Sequence, residues 1–462
     1  MDNLDHSRLL DVHRVSEHPA VQEVIQVLYG ELKKSGYLGK SSRKKILKHL
    51  KAVILDLYLR YKSDPVSYVA YPRSPNEYLK ETRLGQLYFG YRPMMRVIDG
   101  LETLGYLETH KGFQNRSTGQ SRLSRMRATA SLFDLITDHS VTPDMIELED
   151  QPVLVLRDVE GEDIPYKVSD ETISMETQLH SYNEFLATHQ LGLSLPIEEI
   201  RAVLIARRSN PIDYSRTQLC RIFNESLSRG GRFYKGWWQE IPSDLRRYIT
   251  IDDQPTSELD YGGQHLLLLY ALNEDEYPWL RGDIDPYGEE NRDLMKQVFL
   301  ICVNEESREK AIQAIRQEIN YNHPDLISTN QFINPLIDST IEKHPELSDC
   351  FFSGMWAELQ RQDSKIAEYV LNHMRAKKIL VLPVHDSFVV QDQYIHHLYA
   401  IMKEAYQMLS VDSIPEVKLK KGANTDLSQP SFKELEKFME TEQLLKDKEL
   451  EVVKKLEDYV KQ

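Results

Sequence analysis

Apolar residues recur at helical spacing in two stretches of the first third of the chain. The first follows the basic run Ser41 to Lys45, where a serine can cap a helix, and its apolar positions are Ile46, Leu47, Leu50, Val53, Ile54, Leu57 and Tyr58. The second runs from Arg92 to Leu104 and stops at Gly105. Apolar residues three and four apart share one helix face, so both stretches predict amphipathic helices.

A strand, a flexible basic loop and a second strand are predicted directly after the second helix. Tyr106 to His110 and Ser121 to Thr129 flank a loop rich in Gly, Ser and Asn. This order resembles the winged-helix domains of replication initiators and transcription regulators, in which a helix can enter the major groove and the wing contacts phosphate. The resemblance implies nucleic-acid contacts by Arg116, Arg122, Arg125 and Arg127. The alternatives are an ordinary helix and hairpin with solvated charges, or a winged helix that binds protein.

The composition indicates a soluble globular protein with room for two or three domains, since 462 residues include 41% hydrophobic and 28% charged positions. Cys220, Cys302 and Cys350 form no CxxC pair, which disfavours a zinc site or a disulfide framework. The N-terminus lacks the basic and apolar regions of a signal peptide, and no apolar run is long enough to span a bilayer. We therefore expect a cytoplasmic protein without a membrane partner.

The net charge of −15 is unevenly distributed along the chain. Basic residues outnumber acidic ones between Lys33 and Arg127, whereas the stretches 144–171 and 434–458 carry much of the acid. Phosphate binding needs local positive charge, so a basic N-terminal module is compatible with nucleic acid despite the acidic total. The acidic, proline-punctuated stretch from Val141 to Pro165 predicts a joint between domains.

A glycine pair, an arginine and a strand that ends in aspartate mark the centre of the chain. Gly231-Arg232-Phe233 is followed by Gln239 before an Ile-Pro step, and then by Asp260-Tyr261 leading into an apolar helix. This series resembles the GRF, LQNIP and DYSQIEL motifs of family A DNA polymerases. The resemblance implies that Asp260 is a catalytic metal ligand, that the Tyr261 carbonyl is a further ligand beside the nucleotide, and that Arg232 and Gln239 contact the primer-template.

Two cations follow on one face of a predicted helix, because Arg292 and Lys296 are four residues apart. They resemble the R-x3-K motif of family A polymerases and phage single-subunit RNA polymerases, which implies that they bind the triphosphate of an incoming nucleotide. The pattern then departs from the family. Leu300 and Asn304 stand where the family has aromatic residues, which puts the usual stacking platform for the base pair in doubt.

Two apolar runs flank His385-Asp386-Ser387 and predict a β-hairpin with an acidic tip. The hairpin resembles the VHDE motif of the DNA polymerases, although the His-Asp-Ser form is that of the RNA polymerases. It implies that Asp386 is the second catalytic carboxylate and that His385 lies at the primer-template. The helix before the hairpin contains Gln360. This helix is in the place of a family helix that faces the primer-template, which implies that Gln360 contacts the primer-template.

Nucleotidyl transfer requires neutralisation of a triphosphate, which two divalent ions between carboxylates achieve. The resemblance therefore implies two Mg²⁺ ions held by Asp260, Asp386 and the Tyr261 carbonyl. Position 265 is glutamate in the DNA enzymes and glycine in the RNA enzymes, and here it is His265. Imidazole can exclude a 2′-hydroxyl or hydrogen-bond to it. We expect DNA synthesis slightly more than RNA synthesis.

The sequence thus predicts an α+β protein whose winged helix-turn-helix domain (1–140) precedes a linker and reduced thumb-like helical region (141–228). A right-hand polymerase palm with an antiparallel sheet and helical fingers (229–428) and a charged C-terminal helix (429–462) follow. The expected function is a template-directed nucleotidyltransferase of a mobile element. It would replicate DNA without a proofreading exonuclease and bind template, primer and nucleoside triphosphates. The alternatives are an RNA-synthesising or primase-like enzyme, and a non-catalytic replication initiator with a degenerate polymerase domain.

Overall fold

Helices and strands are interleaved along the described part of the chain, which in this computed structural model comprises residues 4, 6–80, 82–115, 117, 120–149, 152–272, 285–288, 291–407 and 417–420. The chain divides into two units. Unit 1 comprises Met1–Pro152, Leu195–Thr217 and Glu240–Leu245, and unit 2 comprises Val153–Ser194, Gln218–Gln239 and Arg246–Gln462. The predicted α+β class is confirmed.

The N-terminal part contains short strands around three longer helices. Its elements are β1 (Ser7–Leu9), β2 (Arg14–Val15), α1 (Pro19–Lys34), α2 (Arg43–Ser63), β3 (Tyr68–Tyr71), α3 (Arg83–Gln86), α4 (Tyr91–Thr103), β4 (Leu107–His110), β5 (Phe113–Gln114), β6 (Ser121–Arg122), β7 (Ser124–Ala128), α5 (Ala130–Asp138) and β8 (Glu147–Leu148).

The remaining elements alternate between sheet strands and helices. They begin with β9 (Leu154–Arg157), β10 (Asp163–Ile164), α6 (Asp170–Ala187), β11 (Leu191–Leu193), α7 (Ile197–Ala206), β12 (Cys220–Asn224), β13 (Ser226–Tyr234), α8 (Trp237–Glu240), α9 (Ser243–Arg246), β14 (Ile249–Ile251), β15 (Gln254–Tyr261) and α10 (Gln264–Leu272). They end with α11 (Arg292–Asn304), α12 (Arg308–Asn322), α13 (Asn330–Lys343), α14 (Trp356–Ala376), β16 (Val381–Val384), β17 (Ser387–Gln391), α15 (Ile395–Gln407) and β18 (Val417–Lys420).

Both helices predicted from periodicity in unit 1 are present. The Ser42 hydroxyl accepts a hydrogen bond from the Lys45 amide, which satisfies one of the unpaired donors at the start of α2. Gly105 follows the end of α4 with φ 81°, a left-handed conformation that glycine adopts without steric cost. The apolar faces of α1, α2 and α4 contribute to one hydrophobic core, in which Leu28, Leu50 and Ile98 are fully buried.

The helix, strand, loop and strand predicted for a winged helix occur in that order, as α4, β4, a loop with the short β5–β6 ribbon, and β7. Strands β4 and β7 are antiparallel, with Leu107 opposite Ala128 and His110 opposite Arg125. They lie in a four-stranded sheet of order β1-β3-β7-β4. The assignment of this unit to a winged-helix domain stays a prediction.

A buried cluster of charges holds three segments of unit 1 together. The Arg14 guanidinium donates to the Asp56 carboxylate at 2.5 Å and to both Asp213 oxygens at 2.7 and 2.9 Å. Arg8 donates two further bonds to Asp56, whose side chain is 0% exposed. Buried ions are tolerated only when they are paired, so the cluster ties α2 and the Leu195–Thr217 segment to the N-terminal strands.

Unit 2 contains two larger sheets. One has the order β10-β9-β12-β13, and the other has the order β11-β14-β15-β17-β16, with β18 also paired to β15. Every described strand pair of the second sheet is antiparallel, as predicted. Helix α14 packs on β13 and on α15. Trp237 and Trp238 are buried in the core.

Gly230 and Gly231 produce an irregular step in β13, where the register with β12 shifts. Their φ angles are 75° and 86°. A Cβ on Gly231 would lie 2.5 Å from the Phe223 ring, so neither the conformation nor the space suits a larger residue. The glycine pair therefore determines the register of Arg232 within β13.

Three sequence predictions concern other properties of the chain. The three cysteines, for which no disulfide framework was predicted, are free and buried. Among the described residues no helix has the length and apolar character needed to cross a membrane. The C-terminal helix predicted for 429–462, together with Arg116 of the wing, lies outside the described residues.

We predict that Asp56→Ala lowers the free energy of unfolding of unit 1 by about 3–5 kcal/mol, because it leaves the buried Arg14 without a main counter-charge. Urea denaturation followed by circular dichroism measures this change. Asp134→Ala removes an exposed aspartate of the same unit and should change the free energy of unfolding by no more than about 0.5 kcal/mol. Equal stability of both variants would contradict a stabilising role for the Asp56 cluster.

Candidate active site

Strand pairing brings the segments of the two predicted catalytic aspartates together in unit 2. Asp260 lies at the end of β15 and is directly opposite Ser387 at the start of β17. Asp386 precedes Ser387 in the chain. Residues opposite one another in an antiparallel pair have Cβ atoms about 4.5–5.5 Å apart, so Ser387, the chain neighbour of Asp386, lies beside Asp260.

Asp386 lies in the predicted hairpin, whose turn consists of His385 and Asp386. Val384 pairs with Ser387 on either side of that turn. His385 has φ 59°, and tight two-residue turns require such a left-handed residue because its twist matches that of the strands. The His385 ring packs edge-on against Tyr234 with centroids 5.8 Å apart. Burial is the main reason that the pKa of His385 is lowered, which favours the neutral ring.

Residues from two of the predicted motifs meet at the Asp363 carboxylate of α14. The Arg232 Nε donates to Asp363 Oδ2 at 2.5 Å, and the Gln264 Nε2 donates to Asp363 Oδ1 at 2.9 Å. Arg232 Nη2 also lies 3.1 Å from His265 Nε2. Because Asp363 is 1% exposed, its charge requires these donors, and the donors are in turn held in place.

His265 lies within electrostatic range of most of the candidate site. Burial is the largest influence on its pKa and lowers it, and the nearby charges of Arg232 and Lys296 lower it further. Asp363 and Asp386 act in the opposite direction. The resulting neutral ring accepts the Arg232 hydrogen bond at Nε2. The site therefore holds an uncharged imidazole between carboxylates and cations.

Arg221 was not predicted as a site residue, and it holds the backbone of the glycine pair in place. Its Nε donates to the Gly231 carbonyl at 2.9 Å, and its Nη1 pairs with Glu368 of α14 at 2.8 Å. The guanidinium also lies 5.0 Å from the Phe233 ring centroid. Arg221 is 1% exposed, so it acts on the site only through the backbone that carries Arg232. A single arginine in a strand gives no sequence signal for such a role.

Glu258 is a second unpredicted residue, and it shares a face of β15 with Asp260 because side chains alternate along a strand. The Ser387 hydroxyl donates to Glu258 Oε1 at 2.6 Å, and Arg246 Nε donates to Oε2 at 3.1 Å. Ser387 thereby links the hairpin to β15 beside the two aspartates. The alternating pattern of β15 could have identified Glu258 as a neighbour of Asp260.

The two predicted phosphate-binding cations lie on α11, as expected, and differ in their surroundings. Arg292 donates to Asp285 at 2.5 Å and lies 5.6 Å from the Tyr287 ring centroid. This carboxylate is the main reason that its pKa is raised. Lys296, one turn further on, is half-buried and acts on His265. Of the two cations, Lys296 is the one whose charge influences His265.

Other predicted residues make contacts within the protein. Gln239 Nε2 donates to the carbonyls of Phe233 and Pro383 at 2.9 and 3.0 Å, which joins β13 to the hairpin strand β16. The Tyr261 ring is buried, and its hydroxyl donates to the Met402 carbonyl at 2.7 Å. Only its backbone can therefore face a ligand. Gln360 is half-buried on α14, one turn before Asp363.

In unit 1 the predicted wing arginines have different environments. Arg125 is 8% exposed and donates to the carbonyls of Leu4, Leu123 and Ser124, so its guanidinium is used within the fold. Arg127 pairs with Glu108 through two bonds of 2.9 and 2.6 Å. Arg122 lies 5.4 Å from the Phe113 ring centroid. Nucleic-acid binding by these residues stays a prediction, and Arg122 and Arg127 are more accessible than Arg125.

The donor atoms beside the hairpin suit a hard divalent cation. Asp260 and Asp386 supply carboxylate oxygens, and the backbone at Tyr261 supplies a carbonyl, which are the ligand types that Mg²⁺ prefers. No group of three or more His, Cys, Asp or Glu side chains that could hold a metal occurs among the residues that the structure describes. A cation here would therefore depend on two carboxylates together with backbone, substrate or water oxygens.

Comparisons with known proteins add little to this description. No protein-family model matches the chain, and no curated protein matches it. Among solved structures the chain is similar to the POL domain of Pol1 from M. smegmatis in complex with DNA primer-template and dNTP. The TM-score is 0.27 at 10% identity, over 91% of this chain and 67% of that one. A similarity at this level establishes neither fold nor function.

His344 was not predicted and secures the helices next to the site. Its Nδ1 lies 3.1 Å from the Tyr270 hydroxyl of α10, and its Nε2 lies 3.1 Å from the Pro286 carbonyl. The ring also packs edge-on against Phe299 of α11 at 5.1 Å. Burial lowers the pKa of His344 to about 4. His344 therefore connects α10 and α11, which carry His265 and Lys296.

We predict that the His344 imidazole titrates near pH 4 in the folded protein and near pH 6.5 after unfolding in urea. NMR of ¹³C-labelled histidine measures both values, and His344→Gln identifies the resonance. Because the folded pKa is the lower one, the unfolded state takes up the proton first as the pH falls below about 6.5. His344 should thus reduce stability progressively between pH 6.5 and 4. Titration near 6.5 in the folded protein would contradict its burial.

Proposed function

We propose that the chain is a template-directed nucleotidyltransferase whose active site is built around Asp260 and Asp386. The observation that carries the proposal is the pairing of Asp260 with Ser387, which places the end of β15 opposite the start of β17, next to the turn that contains Asp386. Solvent-exposed turn aspartates are common, but two carboxylates brought together by separate elements repel each other unless a cation or a proton lies between them. A site for divalent cations accounts for their arrangement.

The surrounding groups support nucleotide binding at the same place. The positive charge of Lys296 acts on His265, and Arg232 Nη2 donates to the Nε2 atom of that ring. Neutral imidazole, cationic side chains and paired carboxylates are the groups needed beside a sugar, a triphosphate and its metal ions. We assign Lys296 to the triphosphate and Arg232 to the end of the primer. His265 is assigned to the sugar of the incoming nucleotide.

In the proposed reaction the 3′-hydroxyl of a primer attacks the α-phosphorus of a nucleoside triphosphate, and pyrophosphate leaves. Bound Mg²⁺ would supply charge neutralisation for the attacking and leaving oxygens. Asp260 and Asp386 would hold the cations, and the rigid β15–β17 pairing would keep their carboxylates apart at a constant spacing. Asp363 would orient Arg232 through its 2.5 Å ion pair, so that the guanidinium faces the primer terminus.

A second candidate is a non-catalytic DNA-binding initiator that retains a degenerate polymerase domain. The Arg292–Asp285 ion pair favours it, because this arginine has an internal counter-charge where a triphosphate ligand would need a free cation. The Gln239 bonds to Phe233 and Pro383 point in the same direction. A primer-extension assay distinguishes the two candidates, since only the enzyme incorporates nucleotides.

We predict that Asp260→Ala and Asp386→Ala each reduce primer extension by at least about 10³-fold, because each removes a charged cation ligand. The measurement is single-nucleotide incorporation on a primed template with Mg²⁺ and each of the four dNTPs and NTPs. Asp349→Ala is the matched control, because it removes an exposed aspartate of the same unit. Circular dichroism spectra of all three variants should coincide.

Two results would contradict the proposed enzyme. Full incorporation by either aspartate variant would remove the two-carboxylate mechanism. An inactive wild-type protein that still binds duplex DNA would instead favour the initiator.

We predict that His265→Gly increases ribonucleotide incorporation relative to deoxyribonucleotide incorporation by about tenfold, because it removes the side chain closest to the proposed sugar site. The ratio of kcat/KM for matched dNTP and NTP pairs measures this selectivity. His265→Glu should preserve preference for the deoxyribose. If neither substitution changes the ratio, His265 does not contact the sugar.

A further inference from the structure

Unit 1 contains a cavity of about 460 Å³ that is separate from both the wing and the candidate active site. Helices α1 and α2 form two of its walls, and the Leu87–Phe89 segment forms a third. Its floor is apolar and includes Val12, Ile25 and Ala52. This volume lies within the range of about 300–1,000 Å³ that is typical of ligand sites.

An exposed aromatic side chain stands at the rim of the cavity. Tyr88 is 86% exposed and has φ 58°, whereas the adjacent Phe89 is 4% exposed. Bulky residues rarely adopt this left-handed conformation, and local strain of this kind is found preferentially at functional sites. The turn thus buries one ring and presents the other to solvent beside an apolar cavity.

Two lysines of α2 supply positive charge to the same rim. Lys48 Nζ donates to the Leu87 carbonyl at 2.8 Å and lies 4.9 Å from the Phe89 ring centroid, neither of which neutralises its charge. Lys51 Nζ donates to the Ser16 carbonyl and to Glu17, whose side chain is 88% exposed. Exposed ion pairs of this kind are weak, so a phosphate can compete with Glu17.

The remaining charges that line the cavity are accounted for. Arg14 is neutralised by Asp56 and Asp213. Glu149 lies 3.8 Å from His13 and is 60% exposed, so it faces largely into water. Gln22 contributes an amide whose nitrogen donates to the Ser16 carbonyl. The cavity therefore combines an apolar interior, a few polar groups, an aromatic rim, the exposed Lys48 and the half-buried Lys51.

We propose that this cavity binds one nucleotide of a single-stranded nucleic acid, with the base against the Tyr88 ring and the apolar floor and the flanking phosphates at Lys48 and Lys51. Aromatic side chains beside basic ones are the general means of holding unpaired strands. A paired base cannot enter a cavity, so the ligand is single-stranded. The inference rests on the proposed function only in taking nucleic acid as the substrate, and it adds a strand-binding site in unit 1.

The test measures fluorescence anisotropy of labelled oligothymidylate, oligouridylate and a blunt duplex, without Mg²⁺ or nucleotides. Tyr88→Ala should weaken binding of the tighter single strand by about tenfold, and Tyr88→Phe should retain binding because the ring remains. Tyr321→Ala is the matched control, since Tyr321 is 85% exposed in unit 2. Equal binding by wild type and Tyr88→Ala would overturn the proposal.

The salt dependence provides an independent measurement. Lys48→Gln with Lys51→Gln should reduce the slope of log affinity against log salt by about 1.4, which corresponds to two phosphates of a single strand. Lys33→Gln with Lys34→Gln removes two exposed charges from α1 of the same unit and should leave the slope unchanged. An unchanged slope in the Lys48 and Lys51 variant would overturn the phosphate assignment.

Binding and catalysis separate the two proposals. Tyr88-dependent strand binding by a protein that shows no primer extension would support the cavity site and reject the enzyme. Primer extension by a protein whose strand binding does not depend on Tyr88 would reject the cavity site and support the enzyme. Photocrosslinking of an iodouracil-containing strand should additionally mark the peptide that contains Tyr88, and crosslinks confined to unit 2 would overturn the proposal.

Discussion

The register between β15 and β17 is the constraint on which the candidate site depends. A shift of one residue would turn Asp260 to the other face of the sheet, because side chains alternate along a strand. Three interactions hold the register in place. The two-residue turn at His385 determines the hairpin, the Ser387 hydroxyl bonds to Glu258 across the strands, and Gln239 bonds to the Pro383 carbonyl at the hairpin's outer strand.

The second organising feature is the Asp363 carboxylate, which gathers side chains from β13, α10 and α14. A buried aspartate with two donors is stable only while both donors remain, so Arg232 and Gln264 cannot change independently of it. His265 is added to this group through Arg232. The sugar-side and primer-side elements of the proposed site are thus coupled by one hydrogen-bond network, and single substitutions there should have non-additive effects.

Local patterns predicted much of the secondary structure. Helical periodicity identified α2 and α4, and two apolar runs around His385 and Asp386 identified the β16–β17 hairpin, because these signals depend only on neighbouring residues. The pairing of Asp260 with Asp386 in one site was predicted from a resemblance in the order of motifs, and the register of Asp260 with Ser387 brings their segments together. The contacts of Asp363, Arg221 and His344 could not be predicted, since each joins segments far apart in the chain. The same reason explains why Arg125 and Gln239 proved to have partners within the fold, which local patterns do not reveal.

The buried charges around Asp56 have a consequence for the way in which the chain can be divided. Arg14 finds one of its two counter-charges in Asp213, which lies about 65 residues beyond the end of β8 at Leu148. A fragment that ends at Pro152 would bury this guanidinium without that carboxylate and would also lose the Arg201 partner of Asp64. The units are therefore interleaved in sequence, so recombination or truncation at a single point cannot transfer the N-terminal unit intact.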